Sequence, residues 1–368
     1  MSLPTFEPLP IKRINPEAAG AVAIVFEVPD SLKTRYDFKP GQFLTLRAKV
    51  QGQELRRNYS ISSSHRRFAQ HNEIEIGIRP IEGGLFSNWA AQSLKAGDHL
   101  DVMPPDGRFT IHRPRAMHRV GFAAGSGITP ILSIIATSLE ENPHAKFTLV
   151  LGNRRMNTVM YNEALQDLKD RFADRFTMIH VLSRQAQEVD LLQGRIDGEK
   201  VQAIIDALLP VGSMDEVFVC GPEGMIEATV TALEQAGVPS RNIHAERFAT
   251  SSPQKTTAPK TPNKEAAPHG ATGAAAQTAL RIIVDGKSHE LSLEPGMAVL
   301  DAALQAGLDI PYSCKAGVCC TCRGKLLEGE VTMTRNFTLQ DDEVQRGFVL
   351  TCQAVSSSPR VVVSFDER

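Results

Sequence analysis

The stretch S-C-K-A-G-V-C-C-T-C-R-G-K, Ser313–Lys325, holds four of the six cysteines in this 368-residue chain. Three of them, Cys314, Cys319 and Cys322, have the spacing C-x4-C-x2-C, and Cys352 stands alone far downstream. This is the ligand spacing of one class of [2Fe–2S] cluster, in which four thiolates hold two irons. We therefore predict an iron–sulfur cluster held by these four cysteines.

The residues between the predicted ligands agree with this interpretation. Gly317 and its small neighbours would let backbone N–H groups approach the inorganic sulfides, where hydrogen bonds help to set the reduction potential. Cys320 occupies a position between ligands, so we expect its side chain to point away from the irons. A structural zinc site is the main alternative, but zinc ligands usually come as two closely spaced pairs. Because Cys352 has no close partner in the sequence, the spacing favours iron and sulfur.

The chain divides into segments of different pattern, which predicts a multidomain protein. Residues 1–115 have short alternating runs separated by Gly and Pro turns, typical of an antiparallel β-barrel. In residues 116–249, apolar strand-like runs alternate with helical stretches, which indicates an α/β domain with a parallel sheet. Residues 250–278 are rich in Ser, Thr, Pro, Ala and Lys and predict a flexible linker. Residues 279–368 combine a hairpin, a short helix and the cysteine stretch.

Composition excludes several classes of function. The formal net charge is −2, which gives no electrostatic reason to expect a nucleic acid or membrane partner. Cysteines are few and unevenly placed in a long chain, so a disulfide framework is not expected, and we predict a cytoplasmic protein. Val120–Leu139 carries no charge, but its centre G-S-G-I-T-P is a turn, so it predicts a strand and a helix rather than a membrane span.

A flavin site is predicted in the first segment. R-N-Y-S at 57–60 resembles the flavin motif of the ferredoxin–NADP reductase superfamily. Arg57 can pair with a pyrophosphate, the Tyr59 ring can pack on the isoalloxazine, and the Ser60 hydroxyl can bond the reactive ring nitrogen. A second segment would give backbone N–H groups and a hydroxyl to the same pyrophosphate. Its residues are Gly83, Gly84, Leu85, Phe86 and Ser87.

Two motifs in the second segment predict a nicotinamide nucleotide site. G-S-G-I-T-P follows a predicted strand and opens a helix, where glycines allow a phosphate to approach the backbone. Its predicted contact residues are Gly125, Gly127, Thr129 and Pro130. C-G-P at 220–222 resembles the second nicotinamide-side motif of the same superfamily. Its predicted contact residues are Cys220, Gly221 and Pro222.

Three residues are predicted at the reaction centre. Ser60 would contact the flavin, and Cys220 is small enough to line a tight nicotinamide slot; without an apparent base it is a packing residue and not a nucleophile. In enzymes of the resembled superfamily, an aromatic residue near Phe248 covers the flavin until nicotinamide displaces it. Phe248 could equally be a core aromatic at a domain end.

The choice between NADPH and NADH depends on which side chains would contact the 2′-phosphate, which only NADPH carries. Ser183-Arg184 follows a predicted strand and matches the pair that holds this phosphate in NADP-using relatives. Arg154 and Arg155 follow the preceding strand, and no acidic residue at either strand end would bind ribose hydroxyls instead. The pattern favours NADPH over NADH.

The C-terminal segment resembles the plant-type ferredoxin domain, which has an α+β β-grasp fold. Over its full length the chain resembles the reductase subunits of bacterial phenylacetyl-CoA epoxidase systems, most specifically at D-L-L-Q-G-R-I-D-G-E-K and C-K-A-G-V-C-C-T-C-R. Cys320 departs from that pattern, where Ala or Ser is commoner. The resemblance implies electron transfer from NADPH through FAD and the cluster to a di-iron oxygenase whose substrate is phenylacetyl-CoA.

Three other functions stay open at this point. The chain could serve a steroid, alkane or aromatic hydroxylase, act as a non-enzymatic iron–sulfur redox sensor, or release reduced flavin as a flavin reductase. Lys315, Arg323 and Lys325 surround the predicted cluster ligands, whereas acidic residues lie elsewhere in that segment. We therefore expect a basic rim that steers the cluster towards an acidic oxygenase surface.

Overall fold

The computed structural model describes residues 5–115, 117–248 and 278–367, which form two compact units. One unit comprises the described residues up to Phe248, and the other comprises those from Thr278 onward. The predicted linker lies outside the described residues apart from Thr278, which opens a strand. None of the helices in residues 5–115, 117–248 and 278–367 has the length and apolar character of a membrane-spanning segment.

The N-terminal part of the first unit is an antiparallel barrel. Its elements are β1 (Glu7–Pro16), β2 (Val22–Glu27), β3 (Phe43–Val50), β4 (Gln53–Ser60), α1 (His65–His71), β5 (Glu73–Ile78), α2 (Leu85–Ser93) and β6 (His99–Val102). The six strands follow the order β4-β3-β6-β1-β2-β5. A bridge between Ile61, just after β4, and Ile76 of β5 joins the two ends of this order. The apolar residues of the alternating runs, such as Leu44, Leu46 and Ile74, are fully buried inside, as the antiparallel prediction requires.

The rest of the first unit is a five-stranded parallel sheet with helices between its strands. Its elements are β7 (His118–Ala124), α3 (Ile128–Glu141), β8 (Lys146–Asn153), α4 (Asn162–Arg171), β9 (Phe176–Leu182), α5 (Gly198–Leu208), β10 (Glu216–Cys220), α6 (Glu223–Gln235) and β11 (Ile243–Glu246). The strand order is β11-β10-β7-β8-β9, with every neighbouring pair parallel. The chain leaves central β7 towards β8 on one side and returns to β10 on the other. In such sheets ligands bind at this switch point, outside the carboxyl ends of the strands.

Burial explains why Val120–Leu139 carries no charge. β7 is the central strand, and residues 128–139 of α3 are all buried. α3 packs against the sheet and also against the barrel: the Ser133 hydroxyl donates to the Ser63 carbonyl at 2.7 Å. A helix enclosed on several faces is apolar all round, so its composition imitates a membrane span.

The second unit is a mixed sheet with two short helices. Its elements are β12 (Thr278–Val284), β13 (Lys287–Leu293), α7 (Val299–Gln305), β14 (Arg323–Glu328), β15 (Val331–Met333), α8 (Asp341–Gln345), β16 (Phe348–Leu350), β17 (Ala354–Ser356) and β18 (Arg360–Ser364). The main sheet has the order β13-β12-β18-β14-β16, and β15 pairs with β17. β12 and β13 form the predicted hairpin, and β12 runs parallel to β18. The cysteine stretch begins in the loop between α7 and β14 and ends inside β14.

Candidate flavin, nicotinamide and cluster sites

The two predicted flavin segments lie next to each other. Tyr59, on β4, is half-buried, and its ring centroid is 5.8 Å from that of Phe86 on α2. Arg57 is exposed on the same strand, and its Nη1 donates to the Arg56 carbonyl at 2.8 Å. Burial raises the pKa of the Tyr59 phenol well above its usual value, so the ring is neutral and suited to packing on an aromatic system.

The start of α2 has the conformation expected of a phosphate-binding turn. Gly83 has a φ of 71°, a left-handed conformation that favours glycine. Gly84 caps the helix, and a Cβ there would lie 2.5 Å from the Ile81 side chain and 2.6 Å from Ser87 Oγ. The hydroxyl of Ser87 accepts from the Ile81 N–H at 3.3 Å, and Leu85 is exposed. The free N–H groups of a helix start favour an anion.

The two nicotinamide motifs are in backbone contact at the switch point. Gly127 follows β7, and Cys220 ends the neighbouring strand β10. A Cβ on Gly127 would lie only 2.1 Å from the Cys220 carbonyl oxygen and 2.9 Å from the Gly221 nitrogen. Real Cβ atoms do not approach other atoms this closely, so only glycine allows the two turns to meet.

Other residues of these motifs shape the turns. Thr129 is buried, and its hydroxyl donates to the Ser126 carbonyl at 2.9 Å. Pro130 is buried in the first turn of α3, where its missing N–H costs no hydrogen bond. Pro222 precedes α6 as its N-cap residue. Gly125 has a φ of 56°, which again favours glycine.

A carboxyl group that sequence reasoning did not assign joins the flavin strand to the nicotinamide motif. Ser60 Oγ donates to Glu246 Oε2 at 3.2 Å, and Glu246 pairs in register with Cys220 on the adjacent strand. Burial raises the pKa of Glu246 to about 8 and raises the pKa of the Cys220 thiol well above its usual value. Phe248, two residues beyond Glu246, packs partly buried against the apolar cluster that contains Cys220. Ser60 and Cys220 are thus both linked to Glu246, by a hydrogen bond and by strand pairing; the roles of Ser60, Cys220 and Phe248 at the reaction centre stay a prediction.

Arg79 is a second residue that sequence reasoning missed. It follows β5 of the barrel, and its Nη1 is 3.1 Å from the position that a Cβ on Gly125 would occupy. A guanidinium is thus placed beside the glycine turn after β7. No sequence signal separates Arg79 from the other arginines, because its position depends on how the barrel packs on the α/β domain.

The predicted 2′-phosphate residues lie together at the carboxyl ends of β8 and β9. The Arg184 N–H donates to the Arg154 carbonyl at 2.9 Å, and the Ser183 N–H donates to the Asn153 carbonyl at 2.9 Å. The side chains of Arg154 and Arg184 are exposed. Two guanidinium groups on adjacent loops can meet one phosphate with bidentate hydrogen bonds.

In the second unit, the four predicted ligands form two thiol pairs. The side chains of Cys314 and Cys319 are hydrogen-bonded to each other, and so are those of Cys322 and Cys352. Within each pair the hydrogen bond lowers the pKa of one thiol, Cys314 or Cys352, while the hydrogen bond and burial raise the pKa of Cys319 and Cys322. Two pairs of thiols suit the two irons of a [2Fe–2S] cluster, each of which takes two thiolates.

The surroundings of the thiols also fit an iron–sulfur cluster. The Ala316 N–H points at Cys314 Sγ at 3.3 Å, and Gln353 Nε2 lies 3.5 Å from Cys352 Sγ. Among the residues that the structure describes, the buried hydroxyl of Ser313 has no hydrogen-bond partner, whereas the Thr321 side chain hydrogen-bonds Cys319. Two pairs of thiols with amide N–H groups beside them form a donor set that fits the two irons of a [2Fe–2S] cluster.

Cys320 hydrogen-bonds a residue outside the two thiol pairs. Its Sγ donates to Thr338 Oγ1 at 2.9 Å, and its φ of 56° turns the chain between neighbouring ligands. Gly317 is required nearby, because its φ is 77° and a Cβ would lie 3.0 Å from the Arg335 carbonyl oxygen.

The expected basic rim is neutralised in the structure. Each of the three cations near the ligands has an acidic partner that sequence reasoning did not assign. The ion pairs are Lys315–Asp301 at 2.9 Å, Arg323–Glu343 at 2.7 Å and Lys325–Glu367 at 2.5 Å. These acids come from α7, α8 and the residues after β18. The fold therefore brings carboxylates from distant parts of the sequence to neutralise the three basic side chains near the ligands.

Comparison with known proteins gives the class of the protein. Residues 17–111 match the oxidoreductase FAD-binding domain, 122–231 the oxidoreductase NAD-binding domain, and 282–357 the 2Fe-2S iron-sulfur cluster binding domain. The structure of phthalate dioxygenase reductase, described as modular for electron transfer from pyridine nucleotides to [2Fe-2S], has the same fold. It superposes with a TM-score of 0.58 at 21% identity, over 98% of each chain. The chain is thus an oxidoreductase that uses a pyridine nucleotide, FAD and a [2Fe–2S] cluster.

Full-length relatives define the family. A component of the 1,2-phenylacetyl-CoA epoxidase from Escherichia coli K12 is 41% identical over 368 residues, which is 99% of each chain. The ferredoxin reductase component of 3-ketosteroid-9-alpha-monooxygenase from Rhodococcus rhodochrous is 32% identical, over 97% of this chain and 96% of that one. The chain belongs to this family of oxygenase reductase components. The resemblance found in the sequence, including its multidomain fold, is confirmed.

Proposed function

We propose that this protein is the NADPH-dependent reductase of a di-iron oxygenase that epoxidises phenylacetyl-CoA in the cytoplasm. The observation that carries the proposal is the 41% identity with the E. coli epoxidase component across 99% of both chains. Identity with the ketosteroid relative is lower, at 32%. FAD, when bound, accepts two electrons as hydride from the nucleotide and can release them singly to a cluster.

The flavin would be held by the barrel. Arg57 and the N–H groups at the start of α2 bind the pyrophosphate, Tyr59 packs on the ring system, and Ser60 hydrogen-bonds its reactive edge. Glu246 orients the Ser60 hydroxyl. Because the pKa of Glu246 is raised to about 8, its carboxyl is protonated at neutral pH and adds no negative charge to the site.

The nucleotide would lie across the switch point of the parallel sheet. Gly125 and Gly127 let its phosphates approach the backbone, and Arg79 provides a cation there. Cys220 and Phe248 border the nicotinamide. Arg154, Ser183 and Arg184 bind the 2′-phosphate, which supports NADPH as the preferred donor. In the second unit, Cys314, Cys319, Cys322 and Cys352 hold the cluster.

The flavin assignment is tested by cofactor content. Arg57→Ala should yield protein that retains its iron but little FAD, and Tyr59→Ala should loosen FAD and change its absorbance. The matched control is Arg35→Ala, an arginine of the same barrel that pairs with Glu7 instead. Full FAD occupancy in both site variants would place the flavin elsewhere.

The physiological function is tested by reconstitution with oxygenases. The purified holoprotein should support NADPH-dependent epoxidation of phenylacetyl-CoA by the epoxidase oxygenase components, with product formed for each NADPH consumed. Iron analysis of the productive oxygenase tests its di-iron type. If coupled turnover occurs with a ketosteroid oxygenase and not with the epoxidase components, the protein is instead a steroid hydroxylase reductase. Failure to oxidise NADPH even with a dye acceptor would favour a redox sensor.

A further inference from the structure

The segment that follows the flavin strand is joined to the α/β domain by a row of hydrogen bonds. Residues 60–65 connect β4 to α1 and carry the last residue of the flavin motif. Five bonds cross from this segment to the other domain. They are Ser60 Oγ to Glu246 at 3.2 Å, Ser62 Oγ to Tyr161 OH at 3.0 Å, Ser133 Oγ to the Ser63 carbonyl at 2.7 Å, the His65 N–H to Thr137 Oγ1 at 3.1 Å, and His65 Nδ1 with Glu141 Oε1 at 3.1 Å.

Tyr161 has an unusual conformation among these partners. It is buried, with 3% of its surface exposed, and its φ of 60° lies in the left-handed region that bulky side chains rarely adopt. It directly precedes α4, and its N–H donates to Glu17 Oε2 of the barrel at 2.7 Å. Backbone and side chain of one residue are therefore both fixed to the barrel. Such strain persists only where the surrounding contacts determine the conformation.

The Tyr161 hydroxyl lies where the flavin segment meets the nucleotide turn. A Cβ on Gly77 of β5 would be 2.7 Å from the Tyr161 hydroxyl and 2.7 Å from the Thr129 methyl group. Thr129 belongs to the turn-and-helix motif after β7, and its hydroxyl closes that turn on Ser126. The phenol and the Thr129 methyl group thus pack against the same point of β5, and the phenol also hydrogen-bonds Ser62, two residues from Ser60.

We propose that Tyr161 is a positioning residue for hydride transfer, whose hydroxyl, through Ser62, sets the separation between the flavin strand and the nucleotide turn. The inference rests on the flavin and nucleotide sites proposed above. Hydride transfer needs the reacting atoms about 3–3.5 Å apart, and a 1 Å displacement can lower the rate about a hundredfold. Loss of one of the five bonds in the row should displace the two domains by less than 1 Å.

The test is Tyr161→Phe in the FAD- and cluster-loaded protein. We expect the rate of flavin reduction by NADPH, measured by stopped flow, to fall about tenfold with FAD and iron contents unchanged. The primary isotope effect with deuterated nicotinamide should rise. As a readout without turnover, the difference spectrum of oxidised FAD on adding NADP⁺ should change, because the nicotinamide lies differently against the flavin.

Two further variants separate positioning from simple stability. Tyr36→Phe is the matched control, because Tyr36 is equally buried but its hydroxyl donates to the Val102 carbonyl at 2.6 Å within the barrel. It should lower the melting temperature and leave the isotope effect and the NADP⁺ spectrum unchanged. Ser62→Ala should reproduce the Tyr161→Phe spectrum, and the double variant should be no worse than either single variant.

The inference is overturned by a specific result. If Tyr161→Phe lowers only the melting temperature, as Tyr36→Phe does, the phenol is structural. If Tyr161→Phe does not fold, Ser62→Ala decides by the same spectrum and isotope effect. Arg57→Ala tells this failure apart from a wrong flavin site. If the flavin site is wrong, Arg57→Ala retains its FAD. If only the positioning role of Tyr161 is wrong, Arg57→Ala still loses FAD.

Discussion

The cluster loop and the flavin–nucleotide site are built in opposite ways. Three of the four thiols come from one loop, Cys314–Cys322, and the fourth follows β16. The other site draws on β4, the start of α2, the turns after β7 and β10, and the end of β11, which together span most of the first unit. The loop site depends on a few side chains, whereas the assembled site depends on close backbone contacts between distant segments.

This difference predicts how each region fails. A change of one ligand should remove the cluster and leave the flavin site intact. A change at a backbone contact between the nucleotide turns should disable nucleotide use and leave the cluster intact.

Replacing any one of Cys314, Cys319, Cys322 or Cys352 by Ser should abolish the visible cluster spectrum and electron delivery to the oxygenase. NADPH oxidation with a dye that accepts electrons from flavin should persist. Cys320→Ala is the control, since Cys320 points to Thr338 and Ala adopts the φ of 56° at the same cost. Loss of the cluster in Cys320→Ala but not in Cys319→Ser would contradict the ligand assignment.

Gly127→Ala should lower kcat/KM for NADPH by about a hundredfold or more with the dye acceptor. The new Cβ would lie 2.1 Å from the Cys220 carbonyl oxygen, so the two turns must move apart. A displacement of about 1 Å of the reacting groups can lower the rate about a hundredfold. The cluster spectrum should be unchanged.

Gly224→Ala on α6 is the matched control, because a Cβ there meets nothing within 4 Å. It should keep full activity and gain a little stability, since Ala favours a helix over Gly by about 1 kcal/mol. Normal NADPH kinetics in Gly127→Ala would show that the contact of the two turns is not needed.

Arg184→Ala should lower the preference for NADPH over NADH about ten- to a hundredfold, measured as the ratio of the two kcat/KM values. A charged hydrogen bond to phosphate contributes about 1.5–3 kcal/mol, which corresponds to this range. Arg241→Ala is the control, because Arg241 is exposed just before β11, at the amino edge of the sheet. An unchanged ratio in Arg184→Ala would remove the argument for NADPH.

The same contrast explains how much could be predicted from the sequence. The cluster ligands follow from spacing alone, and alternation of strands and helices predicts the parallel sheet. Glu246 and Tyr161 could not be found in this way. Their partners Ser60 and Ser62 are 186 and 99 residues distant in sequence, so their roles exist only after the two domains pack. The prediction of a basic rim was wrong for the same reason, because Asp301, Glu343 and Glu367 pair with the three cations only in the folded chain.

The smallest expected effect is a pH dependence confined to the first unit. The pKa of Glu246 is about 8 in the folded chain against an ordinary value of 4.5, because burial disfavours its charged form. Between these two pH values the folded state holds a proton that the unfolded state has lost. The free energy of unfolding therefore falls as pH rises from 4.5 towards 8 and stops falling above 8.

Glu246→Gln removes this proton while keeping the size and a hydrogen-bonding group. Near pH 8 the variant should melt a few degrees above the parent protein, and the difference should close towards pH 4.5. Calorimetry at several pH values measures it, with Glu227→Gln, an exposed glutamate on α6, as the control. A transition that belongs to the second unit should not move, because Glu246 lies in the first. Parallel melting curves for the parent and Glu246→Gln would mean that the carboxyl is hydrated and ionised, and Ser60 would then face a charged group.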